Sequence, residues 1–280
     1  MTATTCPDCA GRGYRIGPAG PDGYPTLVRC PAPHQGCLCK GAADAIYELP
    51  DGRVGDCPVC GPVIATIRRA EREIRLAGVP DDFRATLPEH LRGVARRNIV
   101  ERCVAQALAD WADPACTAMS GITLLGEVGR GKSEAAAAIV NALVLGRGVT
   151  ARWCNMEALY SRLRTLMDER DRPDRESESR IIRPLITARV LVLDDLAIST
   201  LSPHEQRITY TIADARHGNR RQHLTLATSN RSEAELEKVN GGRIWSRVLG
   251  MSSIVTLTGP DHRRKRSHHH TVPAPAATEA

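Results

Sequence analysis

From residue 122 onward, short apolar runs alternate with longer stretches in which apolar residues recur every three or four positions. ITLLG precedes SEAAAAIVNALVLG, TARWCN precedes MEALYSRLRTLM, RVLVLDD precedes SPHEQRITYTIADARHG, and HLTLATSN precedes SEAELEKV. The short runs read as buried strands and the periodic stretches as helices, so their alternation predicts an α/β fold with a mainly parallel sheet covered by helices on both faces. Ser202-Pro203 and the pair Ser232/Glu235 mark two of the helix starts. Upstream, VIATIRRAEREIRLA (63–77) reads as a basic amphipathic helix ending at Gly78, and RRNIVERCVAQALADW (96–111) as another, closed off by Pro114. Residues 168–180, DERDRPDRESESR, carry charge without a period and read as an exposed loop. Before residue 62 the periodicity fails and Gly, Pro and Cys take over, as expected where a metal rather than a core holds a small domain together. The predicted layout is a cysteine-rich domain over 1–62, a helical linker over 63–95, the main domain over 96–266 and a disordered tail over 267–280.

Composition narrows the class without naming it. Hydrophobic content of 42% and charged content of 25% are ordinary for a globular chain. No apolar run approaches a membrane span and the N-terminus has no basic-then-apolar signal pattern, so a cytoplasmic location and no membrane partner are expected. The net charge of +6 is compatible with a polyanionic partner, and equally with scattered solvated arginines. Of the 38 basic residues only Lys40, Lys132, Lys238 and Lys265 are lysines, which makes a lysine at 132 conspicuous.

That lysine belongs to GEVGRGKS: Gly126, Glu127, Val128, Gly129, Arg130, Gly131, Lys132 and Ser133. A strand, then G-x-x-x-x-G-K-S, then a helix is the arrangement of a phosphate cradle. Its glycines let the backbone curl, its N–H groups face the anion and the helix dipole adds to the field. Lys132 is then positioned for the β- and γ-phosphates of ATP and Ser133 for Mg²⁺. The strand RVLVLDDL ends in two carboxylates; Asp194 suits the metal and Asp195 the attacking water. Asn230, ending HLTLATSN, suits the γ-phosphate or that water, or equally a helix cap.

Seven of the ten cysteines lie in the first 60 residues, which in a reducing compartment points to metal rather than disulfides. Cys6-Pro-Asp-Cys9 and Cys57-Pro-Val-Cys60 have the spacing of a four-cysteine zinc ribbon. Cys30, His34, Cys37 and Cys39 between them are enough for a second Zn²⁺, or are a histidine and three thiols beside a single ion. CPDCAGRG also resembles the zinc modules of DnaJ-type chaperones, though nothing else in the chain suggests a J domain.

Taken in order, GEVGRGKS, LVLDDL, LATSN, RIWSR and GPDHRR resemble the AAA+ ATPases of the DnaC/DnaI helicase-loader and IstB group, over roughly residues 78–266. The resemblance implies a P-loop AAA+ core and further roles: Asn230 as sensor 1, Arg247 as an arginine finger reaching a neighbouring subunit, and Arg263 as sensor 2. It implies an ATPase that forms homo-oligomers when ATP is bound, with single-stranded DNA and the replicative helicase as partners. An IstB-like transposition ATPase and a non-hydrolysing, ATP-sensing nucleic-acid adaptor are the competing functions. Asp195 departs from the glutamate that many AAA+ proteins carry at this place.

Overall fold

The expected parallel sheet is built from five strands: β5 (Gly121–Leu125), β6 (Ala151–Asn155), β7 (Val190–Asp194), β8 (Leu224–Ser229) and β9 (Ser252–Thr256). They lie in the order β6-β7-β8-β5-β9 and every pairing is parallel. The structure is a computed structural model that describes residues 9, 12–30, 46–49, 53–113, 115–116, 121–168, 177–196, 201–238, 242–259 and 261. β5 and β7 are buried on both faces and therefore read as continuous apolar runs rather than as alternating ones.

Alternation along the strands divides the interior into two cores. Val190 and Val192 face one side with α1 (Cys60–Ala77), α2 (Val94–Ala112) and α3 (Lys132–Arg147), whereas Leu191 and Leu193 face the other. That second side is covered by α4 (Met156–Asp168), α5 (Glu178–Thr187), α6 (Pro203–Gly218), α7 (Glu233–Lys238) and α8 (Arg243–Leu249). Ala135 to Ala138 are all fully buried because α3 lies beneath both α1 and α2, and only small side chains allow that approach. Among the described residues no helix is long and apolar enough to cross a membrane.

Three elements differ from the sequence reading. The charged stretch 168–180 is not loop throughout, since its last three residues begin α5. Ser177 caps that helix by accepting from the Arg180 N–H at 3.3 Å, and Ile181, Ile182 and Leu185 bury its apolar face. The first basic helix starts three residues early, at Cys60. The cysteine-rich region holds two antiparallel hairpins, β1 (Tyr14–Ala19) with β2 (Pro25–Arg29) and β3 (Ile46–Glu48) with β4 (Val54–Asp56). Tyr14, Tyr24 and Leu27 join the same core as α1 and α3, and the Tyr14 hydroxyl donates to the Leu145 carbonyl at 2.7 Å.

Candidate nucleotide-binding site

The central strand β5 delivers Gly126 to Gly131 at its C-terminal end, and α3 begins with Lys132. Two glycines are required by their left-handed backbone and lie close against charged side chains. Gly131 has φ 77°, and a Cβ there would collide with the guanidinium of Arg96. Gly129 has φ 81°, and a Cβ there would collide with the carboxylate of Asp261. The loop is thus flanked by a cation on one side and an anion on the other. Arg96 is buried and is held by Glu134 Oε2 at 3.0 Å and by the Arg92 carbonyl at 2.7 Å. Arg130 pairs with Glu127 across the turn, whose tip exposes Val128.

Lys132 is 5% exposed, and its Nζ donates to the carbonyls of Gly126 at 2.7 Å and Glu127 at 2.9 Å. It also donates to Asn230 Oδ1 at 2.5 Å. Asn230 follows β8, the neighbour of β5, so the sheet order brings together two residues 98 positions apart. Ser133 Oγ donates to Asp194 Oδ1 at 3.0 Å. Asp194 faces α3 because it continues the Val190, Val192 side of β7, which is the side that Ser133 occupies.

Asp194 is itself clamped from β8. Leu193 pairs with Ala227, so the next residue, Thr228, lies against the aspartate, and its Oγ1 donates to Asp194 Oδ1 at 2.7 Å. The same Oγ1 accepts from the Asp195 N–H at 2.9 Å. Asp195 has φ 59°, a left-handed conformation uncommon for a residue with a side chain; it turns the chain sharply out of the strand. Burial raises the Asp194 pKa above the usual carboxylate value and the neighbouring Asp195 charge adds to this, against lowering by hydrogen bonds from Thr228 and Ser133 and by the donor end of the nearby Trp153 indole. Thr228, Arg96, Asp261 and Trp153 are the residues that sequence reasoning missed. Thr228 alone had a signal, since it lies two residues before Asn230 and falls opposite Asp194 once the two strands are neighbours.

The remaining candidates fall elsewhere or outside the description. Arg247 on α8 pairs through Nε with Asp214 Oδ1 at 2.9 Å and donates to the Tyr210 hydroxyl at 3.4 Å, so its partners among the described residues lie on α6. Arg263, Cys6, His34, Cys37 and Cys39 lie outside the described residues. Cys9, Cys30, Cys57 and Cys60 are all buried. The Cys9 thiol sulfur accepts from the Gly13 N–H at 3.4 Å and that of Cys60 from Arg29 at 2.8 Å. Among the described residues no group of three or more His, Cys, Asp or Glu side chains is arranged to hold a metal ion.

An anion cradle with a buried lysine, beside a serine hydroxyl and carboxylates, is equipped to hold a nucleoside triphosphate with a hard divalent cation. The chain matches no protein-family model. It is 30% identical over 141 residues to the replicative helicase loader DnaC of Escherichia coli K12, a stretch covering 50% of this chain and 55% of that relative. The chain thus spans about half the length of the curated relative it matches. A crystal structure of DnaI superposes with a TM-score of 0.53 at 23% identity, covering 66% of this chain and 95% of that one. A crystal structure of the DnaC helicase loader superposes with a TM-score of 0.50 at 22% identity, covering 62% of this chain and 97% of that one. This protein therefore shares the α/β fold of DnaC and DnaI and is similar over half its length to the replicative helicase loader DnaC.

Proposed function

We propose that this protein is an ATP-dependent loader that binds single-stranded DNA and places a replicative helicase on it during replication. The observation that carries the chemistry is the convergence of Lys132, Ser133, Asp194 and Asn230 at one end of the parallel sheet. Lys132 holds the β- and γ-phosphates, exchanging its contacts to loop carbonyls and Asn230 for phosphate oxygens. Magnesium suits Ser133 and Asp194, which are oxygen donors already drawn to one point by their 3.0 Å hydrogen bond. When bound it supplies charge neutralisation on the phosphates. Asp195, turned out of the strand by its backbone, orients the attacking water, and Asn230 holds the γ-phosphate or that water.

Hydrolysis is completed between subunits. Arg247 leaves Asp214 and Tyr210 to enter a neighbour's site, where its charge balances that developing on the γ-phosphate, and Arg263 serves as sensor 2 in its own chain. The cysteine-rich region over 1–62 holds zinc through Cys6, Cys9, Cys57 and Cys60, with Cys30, His34, Cys37 and Cys39 either a second set or spare side chains beside that ion, and grips the helicase. The burial of Cys9, Cys30, Cys57 and Cys60 supports that reading. The similarity to DnaC supports the helicase as partner, and the net charge of +6 supports nucleic acid.

Two measurements test the function. ATP turnover by the full chain should rise when single-stranded DNA is added, and the tagged chain should capture the host's replicative helicase in the presence of ATP. Absence of turnover with retained nucleotide binding would replace the loader with a non-hydrolysing adaptor; capture of a transposase instead of the helicase would replace it with a transposition ATPase.

A further inference from the structure

Trp153 lies on β6, one strand away from the carboxylates, and no motif points to it. The register pairs Trp153 with Val192 and Asn155 with Asp194, so Trp153 lies one strand across and two residues back from Asp194. That is about 8 Å between backbones, within reach of an indole. Both face the α3 side of the sheet, because Trp153 packs on the core that contains Val192. The indole Nε1 is buried and closes no hydrogen bond of good geometry. An N–H withdrawn from water without a partner costs free energy comparable to a lost hydrogen bond, so its persistence calls for a partner in some state of the protein. The indole is directed as a donor toward Asp194. Asp194 Oδ1 already accepts from Thr228 at 2.7 Å and from Ser133 at 3.0 Å. Both of these donors reach the same oxygen, so neither fixes where the other oxygen of the carboxylate points.

We propose that Trp153 is a positioning residue for magnesium: its indole N–H closes onto the Asp194 carboxylate beside the donors from Ser133 and Thr228, and so fixes that carboxylate in the orientation that receives the ion. This role rests on Asp194 and Ser133 being the magnesium donors. Donors that orient a metal-binding carboxylate contribute about tenfold or more to metal affinity, while leaving the metal-free protein intact.

The test is calorimetric titration of ADP into the full chain, in EDTA and across a magnesium series. Trp153→Phe keeps the ring that packs on Val192 and removes the donor. It should bind ADP in EDTA as the parent does, yet need about tenfold more magnesium to reach half of the metal-dependent gain in affinity. In an Asp194→Asn background the same substitution should have no further effect. An unchanged magnesium midpoint in folded Trp153→Phe, or a shift that persists without Asp194, overturns the proposal. A parent protein whose ADP affinity ignores magnesium would instead overturn the magnesium reading itself. The three tryptophans also allow a test on the unsubstituted residue. In ¹⁵N-labelled protein the Trp153 indole resonance, assigned by elimination with Trp111→Phe and Trp245→Phe, should move when magnesium is added to the ADP complex. A resonance indifferent to magnesium overturns the proposal even if Trp153→Phe fails to fold.

Discussion

At the scale of single residues, the site separates binding from chemistry. Lys132 donates to two loop carbonyls and to Asn230, all polar partners, so its charge is what the site uses. Lys132→Ala should therefore weaken ATP binding ~10–100-fold, the worth of a charge-assisted contact, while the thermal melting profile is kept. Equilibrium binding and calorimetric melting of the same sample check both halves. Asp195→Asn should do the reverse: retain ATP but turn over ~10²-fold slower or worse, since an amide cannot take the water's proton. Single-turnover hydrolysis with bound nucleotide measured in parallel checks it. His223 gives a prediction in pH. Burial, with Arg216 and Arg189 nearby, pulls its pKa down to about 4, and its Nδ1 is buried without a partner. Below about pH 6.5 the unfolded chain binds a proton that the folded chain refuses, so stability is present above that pH and lost as pH falls toward 4. Denaturant unfolding between pH 7 and pH 4.5 should show this loss, on the order of 1 kcal/mol after solvent screening. His223→Gln should flatten the slope.

At the scale of elements, the end of α5 is tied to the sheet by one side chain. Arg216 on α6 is 0% exposed and pairs with no carboxylate among the described residues; instead its guanidinium donates to carbonyls of Leu185, Ile186 and Ala188 at the end of α5. It also donates to the Leu224 carbonyl and to Thr225 Oγ1 on β8. The planar fork serves several acceptors at once, and its charge meets the negative end of the α5 dipole. Arg216→Lys reaches few of these acceptors and strands the rest. It should lower stability by about 3 kcal/mol and the melting temperature by roughly 6–12 °C. Differential scanning calorimetry checks this, with ADP affinity at low temperature unchanged because no contact of Arg216 lies in the nucleotide loop.

At the scale of the whole molecule, the sites for hydrolysis are expected to be shared. Arg247 is held by Asp214 on α6, and the proposed function has it reach the phosphate of a neighbouring copy. Arg247→Ala should keep ATP affinity and lose DNA-stimulated turnover, an effect worth ~10³-fold in P-loop enzymes that use such a residue. Mixing it with Lys132→Ala should restore part of the turnover, because some interfaces then pair an intact loop with an intact arginine. A mixture that co-assembles and stays inactive would place the arginine elsewhere, with exposed Arg243 next to be tested.

How much of this was legible beforehand follows from the range of the interactions. The loop from Gly126 to Ser133, the strand ending in Asp194 and Asp195, and the α/β alternation were readable because each depends on neighbours within one turn or one strand. The capped helix α5 was missed because charged residues before it hid an amphipathic face that only packing on α6 defines. The sequence alone therefore determined the strands of the main sheet, most of the helices between them, and the glycine-rich loop with its lysine. The order β6-β7-β8-β5-β9 was decided only in three dimensions, and with it the meeting of Lys132 with Asn230, of Thr228 with Asp194, and of Tyr14 with the end of α3. Local periodicity sets what a segment becomes, but which strands lie side by side depends on burying two faces at once, a condition satisfied only by the chain as a whole.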